Sequence, residues 1–198
     1  MLEVLVAILV VMIGLLGLAG LQARAHVAEL ESYQRAQALV LLYDMMDRLN
    51  NNRLTASCFA FTTDTTNGIP YAGTTAGGNH LATPSCGVST TAYNTLANGS
   101  ITAWDNLLAG SAETASGTQV GAMVGARGCV SYDSTKEFIN AATGANIAGT
   151  GEYTIAVSWQ GMSDTFAPTV NCGTGLYGAE TRRRTVWATT RLGTLIAR

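Results

Sequence analysis

Between Val4 and Leu21 no charged or strongly polar side chain interrupts the chain (VLVAILVVMIGLLGLAGL). A run of about 18 such residues reaches the length a helix needs to cross a bilayer. A secretory h-region is shorter and follows a basic stretch. Here Met1-Leu2-Glu3 precedes the run, and the first basic residue, Arg24, lies beyond it. The expectation is a membrane helix; a simple cleaved signal peptide fits poorly.

The helical pattern continues past the apolar run, with no Pro or Gly from Leu21 to Arg53. Ala38, Leu41, Leu42, Met45 and Leu49 recur at i, i+3, i+4, i+7 and i+11, which is one face of a helix. Glu31–Arg35 and Asp44–Arg48 are acid-then-base pairs at i,i+4, each adding a few tenths of a kcal/mol. Asn50-Asn51-Asn52 offers a terminus. The reading is one helix of about 50 residues, roughly 75 Å long. Its first half is apolar all round and its second half amphipathic. The alternative is a membrane anchor followed by a separate helix, with Gly14, Gly17 and Gly20 as places to bend.

Charge is scarce in the 198-residue chain: 12% of residues are charged and the net charge is −2. No broad attraction to nucleic acid or anionic lipid follows from that balance. The four cysteines, Cys58, Cys86, Cys129 and Cys172, form no CxxC pair. His26 and His80 hold no zinc-ligand spacing to them, so neither a metal nor another cofactor is expected. An even count beyond a membrane segment suggests disulfides in an oxidising compartment, the alternative being four buried thiols.

Beyond residue 53 the composition divides the chain into a helix, 1–53 (about 1–22 in the membrane), and a head, 54–198. Residues 54–116 are rich in Thr, Ala, Gly, Asn and Ser and read as loop. A bridge from Cys58 to Cys86 would tether that loop, adding about 3–4 kcal/mol in the chain-entropy model. Within it SITAWDNLLAG predicts one short helix, capped by Ser100 or Thr102, with Trp104, Leu107 and Leu108 inward. Strands are expected at Gln119–Ala126, Cys129–Tyr132, Tyr153–Trp159 and Thr185–Leu192, the first two joined by a turn at Arg127-Gly128. In Tyr153–Trp159 the alternation is plain: Tyr153, Ile155, Val157 and Trp159 on one face, Thr154, Ala156 and Ser158 on the other. The amphipathic half of the long helix is the natural cover for the apolar face. Cys129 and Cys172 fall where they are reasonable partners, although four cysteines allow three connectivities. The fold class is therefore α+β, a long helix on a small antiparallel sheet.

At Leu2-Glu3-Val4-Leu5-Val6-Ala7 the sequence resembles the class III signal of type IV prepilins. Ile13–Gln22 (IGLLGLAGLQ), Asp44–Arg53 (DMMDRLNNNR), Gly125–Val130 (GARGCV), Val157–Met162 (VSWQGM) and Cys172–Gly178 followed by Arg182-Arg183-Arg184 extend the resemblance to the PilV group of minor pilins. It runs through most of the chain except the Thr/Gly-rich middle. It implies a pilin-like fold, with an inner-membrane helix and a periplasmic head that later enters the pilus. The implied function is priming of type IV pilus assembly at or near the tip, supporting adhesion and twitching motility. The implied partners are other minor pilins and the major pilin, a PilY-type tip adhesin, the inner-membrane assembly machinery and membrane lipid, with no direct contact to nucleic acid. A minor pseudopilin of type II secretion, or a single-pass binding module, is the alternative.

Prepilins carry a basic leader ending in Gly, removed by a peptidase that then methylates the new terminus. That leader and the first two mature residues do not precede Met1 here, which stands where the family has Leu or a similar residue. The expectation is a start codon placed too far downstream, which N-terminal sequencing of the native protein tests. Glu3 is the residue with most chemistry to explain, because a carboxylate in a bilayer segment costs a few kcal/mol near the centre and less near an end. The resemblance implies that it pairs with a neighbour's amino terminus during assembly; otherwise it sits among the headgroups.

Enzymatic constellations are missing from the pattern. No GxSxG, HExxH or Walker loop occurs, and a triad would have to use His26 beside the membrane or His80 in a Gly-rich loop. Arg182-Arg183-Arg184 reads as a charged strand entrance that discourages edge pairing, or else as a dock for an acidic partner. Trp104, Trp159 and Trp187 are expected in the core. The chain is not expected to be an enzyme.

Overall fold

The computed structural model describes residues 2–111, 114–116, 118–119 and 123–193. The chain divides into two compact units, Met1–Ala36 and Gln37–Arg198. One α-helix, α1 (Leu2–Asn51), supplies the whole described part of the first unit and the opening of the second. No proline breaks it, and its three glycines stand in open space. It ends where the asparagine run begins to compete for the last carbonyls. Asn52 Nδ2 and the Asn52 N–H both donate to Arg48 O, at 2.8 and 3.1 Å, satisfying a group the helix terminus leaves open.

From Leu2 to His26 every residue of α1 is exposed. This stretch holds an apolar window of mean hydropathy 2.9, long enough to cross a membrane. In the second unit the helix is one-sided, as its spacing predicts. Ala38, Leu42, Met45 and Leu49 are buried and Leu41 packs against them. Arg48 Nε bonds Asp44 Oδ2 at 2.7 Å.

A short 3₁₀ segment, Arg53–Phe59, follows, then β1 (Ala72–Gly73) and α2 (Thr91–Leu108). The pair β2 (Thr114–Ala115) and β3 (Thr118–Gln119) forms a small separate ribbon. The long strands are β4 (Arg127–Asp133), β5 (Glu152–Gln160) and β6 (Arg183–Thr190). The main sheet has the order β1-β4-β5-β6 and is antiparallel throughout. Cys129 pairs with Ala156, and Ala156 with Trp187, which fixes which residues share a face.

The inner face carries Val130, Tyr153, Ile155, Val157, Trp159 and Val186, in one buried cluster with the α1 stripe, Phe59, and Ile101, Trp104 and Leu108 of α2. Each of the larger aliphatic or aromatic side chains buried there contributes about 1.5–3 kcal/mol. Trp104 is fully buried and still satisfies its indole, Nε1 donating to Leu41 O at 2.9 Å. Gly128 lies directly under it: a Cβ there would collide with the Trp104 ring and with Leu108. That close approach requires glycine.

Four expectations change. The predicted helix at Ser100 is the second half of α2, which begins at Thr91, so Ser100 and Thr102 are interior residues and not caps. Asn94 and Asn98 belong to the stretch whose composition reads as loop, but their side chains fasten the segment before the helix: Asn98 Oδ1 accepts from Cys86 N at 2.9 Å and Asn94 Oδ1 from Ser89 N at 3.0 Å. Leu107 is only half-buried. Arg127-Gly128 is no turn; both residues are paired in β4, opposite Ser158 and Val157. The strand expected at Gln119–Ala126 covers 120–122, outside the described residues, while Met123–Ala126 form a bend before β4.

Candidate functional site

Glu3 lies in the first turn of α1, where a carboxylate is favoured by the helix dipole. Around it Leu2, Val4, Leu5 and Val6 are all more than half exposed, at 77, 61, 66 and 55%. Among the described residues Glu3 has no hydrogen-bond or ion-pair partner. The arrangement is one anionic group on an apolar rod. It can pair with a cation brought to the same depth, and such a pair gains strength where water is excluded.

The four cysteines form two disulfides, Cys58–Cys86 and Cys129–Cys172, with Cα–Cα distances of 5.4 and 5.7 Å. The first ties the 3₁₀ segment after α1 to the approach of α2. The second ties β4 to the long excursion between β5 and β6, and seals a small outer cluster with Tyr71 and Ala156. Gly68, at φ +64°, passes so close to the Cys172 backbone that no side chain fits between them. Gly173 N–H donates to Gly68 O and Thr174 N–H to Asn67 O, both at 3.0 Å, zipping the two loops together.

Arginines finish this side of the head. Arg183, 1% exposed, gives Nε to Glu180 Oε2 at 2.7 Å and Nη1 to Val170 O at 2.7 Å. Its Nη2 reaches Asn171 Oδ1 at 3.1 Å and Pro168 O at 3.3 Å. Arg182 meets Asp164 at 3.3 Å, and Arg184 donates to Ser163 O at 2.7 Å. The basic tract is thus an internal clamp on the 161–182 excursion, where the sequence predicts an edge guard or a dock. Arg127, also buried, lies between the rings of Tyr71 and Tyr177, 5.1 and 4.8 Å from their centroids. Burial pushes the Tyr177 hydroxyl up to about 12, against the opposing pull of that guanidinium.

Catalytic geometry is not assembled among the described residues. No group of three His, Cys, Asp or Glu converges on one point. His80 Nε2 sits 2.8 Å from Asp105 Oδ1, which also accepts the Gly73 N–H at 2.6 Å. Among the described residues no serine, threonine or cysteine hydrogen-bonds to that imidazole, and the pair fastens β1 to α2. His26 is exposed, 3.9 Å from Glu29.

Of the tryptophans, Trp104 and Trp159 are core residues, but Trp187 is 51% exposed on the outer face, contrary to expectation. The signal was present: Val186 and Ala188 take the inner face of β6, so Trp187 between them must point the other way. No protein-family model matches the chain, no curated protein matches its sequence, and no solved structure matches its fold.

Proposed function

We propose that the chain is a minor pilin that primes type IV pilus assembly and is incorporated at or near the filament tip. The observation that carries this reading is α1. One helix of 50 residues presents an exposed apolar half with a single carboxylate in its first turn, and its other half builds the core of the head. A helix so divided suits a subunit held first in a membrane and later in a bundle of like helices. The Glu3 environment, the resemblance at Leu2–Ala7 and the two disulfides support the same reading.

In this mechanism the subunit waits in the inner membrane with its head in the periplasm. Glu3 pairs with the amino terminus of a neighbouring subunit and sets axial register. Apolar residues of α1 exchange lipid for other helices, while the head meets other minor pilins, the major pilin and a PilY-type adhesin. The role is structural and involves no catalysis.

The experiment is recovery of the subunit in sheared surface filaments of the native host, with mass spectrometry, beside a deletion strain. Low-abundance recovery together with fewer surface pili in the deletion is expected. Unchanged piliation with no subunit in the fibre would reject the proposal and favour a secretion pseudopilin or a membrane-bound binding module.

A further inference from the structure

We infer that the outer face of the sheet is a saccharide-binding groove, with Trp187 as the stacking platform and unpartnered hydroxyls of β4 and β5 as the polar contacts. The inference rests on the head alone and is independent of whether the chain enters a filament.

A cavity of about 420 Å³ opens on this face. That is within the usual range for small-ligand sites, roughly 300–1,000 Å³. Its floor is Ser131 of β4 with Thr154 and Ala156 of β5; Thr65 stands on one side and Thr169 and Asn171 on another. The hydroxyls of Thr65, Ser131, Thr154 and Thr169 make no hydrogen bond among the described residues, and those of Ser131 and Thr154 are half-buried. Half-buried polar groups without protein partners must be served by water or by a ligand. A hydroxyl both donates and accepts, so four of them around one cavity match a ligand whose edge carries several hydroxyls.

The walls are fixed before any ligand arrives. Asn171 donates Nδ2 to Thr66 O at 2.8 Å and accepts from Arg183 Nη2, while the Cys129–Cys172 bridge anchors the next residue of the same loop. Preformed walls reduce the ordering cost of binding.

Trp187 supplies the apolar complement. It pairs with Ala156 and its neighbour Thr189 pairs with Thr154, so both stand on the floor's own face, one strand across. Adjacent strands are about 4.8 Å apart, so the exposed indole stands one strand spacing from Ala156, a residue of the cavity floor. A pyranose is amphipathic in the same sense: C–H groups on one face, hydroxyls around the edge. Its C–H face covers the indole while its edge reaches the threonine and serine hydroxyls. A protein partner would be expected to find an apolar centre ringed by polar groups; here the centre is hydroxylated and the aromatic is at the edge. The carboxylate in the cavity lining, Asp133, lies 3.8 Å from Lys136, which also bonds Glu152, itself 3.8 Å from Arg191; with these charges mutually compensated a neutral sugar is favoured.

The test uses the full-length chain in a detergent without a sugar head group. Glucose, galactose, N-acetylglucosamine and lactose are offered in turn, and binding is read by saturation-transfer NMR and by acrylamide quenching of tryptophan fluorescence. Trp104 and Trp159 are 0 and 3% exposed, so quenching reports Trp187. At least one sugar is expected to take up saturation on its ring C–H protons and to shield Trp187 from acrylamide. Trp187→Ala should abolish the saturation transfer. The pair Ser131→Ala/Thr154→Val should weaken binding about tenfold with the melting temperature unchanged. Failure of all four sugars to bind the wild-type chain overturns the inference. So does binding that survives both variants at wild-type strength. A Trp187→Ala chain that binds sugar normally but loses its partner subunits would overturn it in favour of a protein interface.

Discussion

The two faces of the same sheet are held by different physics. The inner face is covered by α1 and α2 and is stabilised by buried apolar area, with Trp104 wedged over Gly128. Among the described residues no α-helix covers the outer face. The 161–182 excursion is fastened there by one disulfide, a buried arginine with five protein partners and a second arginine between two tyrosine rings. Apolar packing is cooperative and unspecific about direction; crosslinks and guanidinium bonds fix a loop without needing a large core. The inner face is thereby spent on folding, and the outer face is left rigid, hydroxylated and open.

Perturbing each face separately sharpens that contrast. The largest expected effect is on the inner face: Trp104→Ala should cost about 3–5 kcal/mol, read as a fall in the midpoint of denaturant unfolding. Replacing Cys129 and Cys172 together by alanine should cost about 4 kcal/mol, and the Cys58/Cys86 pair slightly less because its loop is shorter, 28 against 43 residues apart. Loss of the outer bridge should also admit rapid amide exchange in 161–182 while β5 stays protected; equal loss of protection in both would break the contrast. Arg183→Met should cost about 2–3 kcal/mol, since Val170 O and Pro168 O lose a charged donor.

Alkaline pH supplies a smaller and more even probe. Burial pushes Tyr153 on the inner face and Tyr177 on the outer side each up to about 12 from 10.0. The folded state keeps these protons where the unfolded chain loses them. Stability from both is therefore complete below pH 10 and is lost as pH rises toward 12. Tyr153→Phe and Tyr177→Phe should each remove part of that slope in alkaline melts. The smallest effect belongs to Trp187→Ala, expected within about 0.5 kcal/mol of wild type because half the side chain is already in water.

Much of the inner face was legible because it follows periodicity. The stripe from Ala38 to Leu49 and the alternation from Tyr153 to Trp159 each specify an element and the side it buries. The end of α1 was legible too, since three asparagines compete with the helix for hydrogen bonds. The outer face was harder because its partners are remote in sequence. Arg127 is buried by Tyr71 and Tyr177, and nothing in GARGCV marks that. Gly128 looked like a turn residue, whereas its missing side chain serves a tryptophan 24 positions earlier. In α2, Asn94, Asn98 and Gly99 hid the first half of the helix because two of them work as local ties. Glu3 and the four cysteines stood out as residues, and although three connectivities were open, Cys58 with Cys86 and Cys129 with Cys172 were already the reasonable partners that the structure joins.

The proposed function requires α1 to be an assembly element whose carboxylate acts between subunits. The direct measurement is complementation of a deletion strain with wild-type chain or with Glu3→Ala, scored by mass spectrometry of sheared filaments and of the membrane fraction. Wild-type subunit in the filaments, with the Glu3→Ala subunit retained in the membrane at equal expression, is the expected result. Equal recovery of both in the filaments would contradict the role given to Glu3, and recovery of neither would contradict the pilin reading itself.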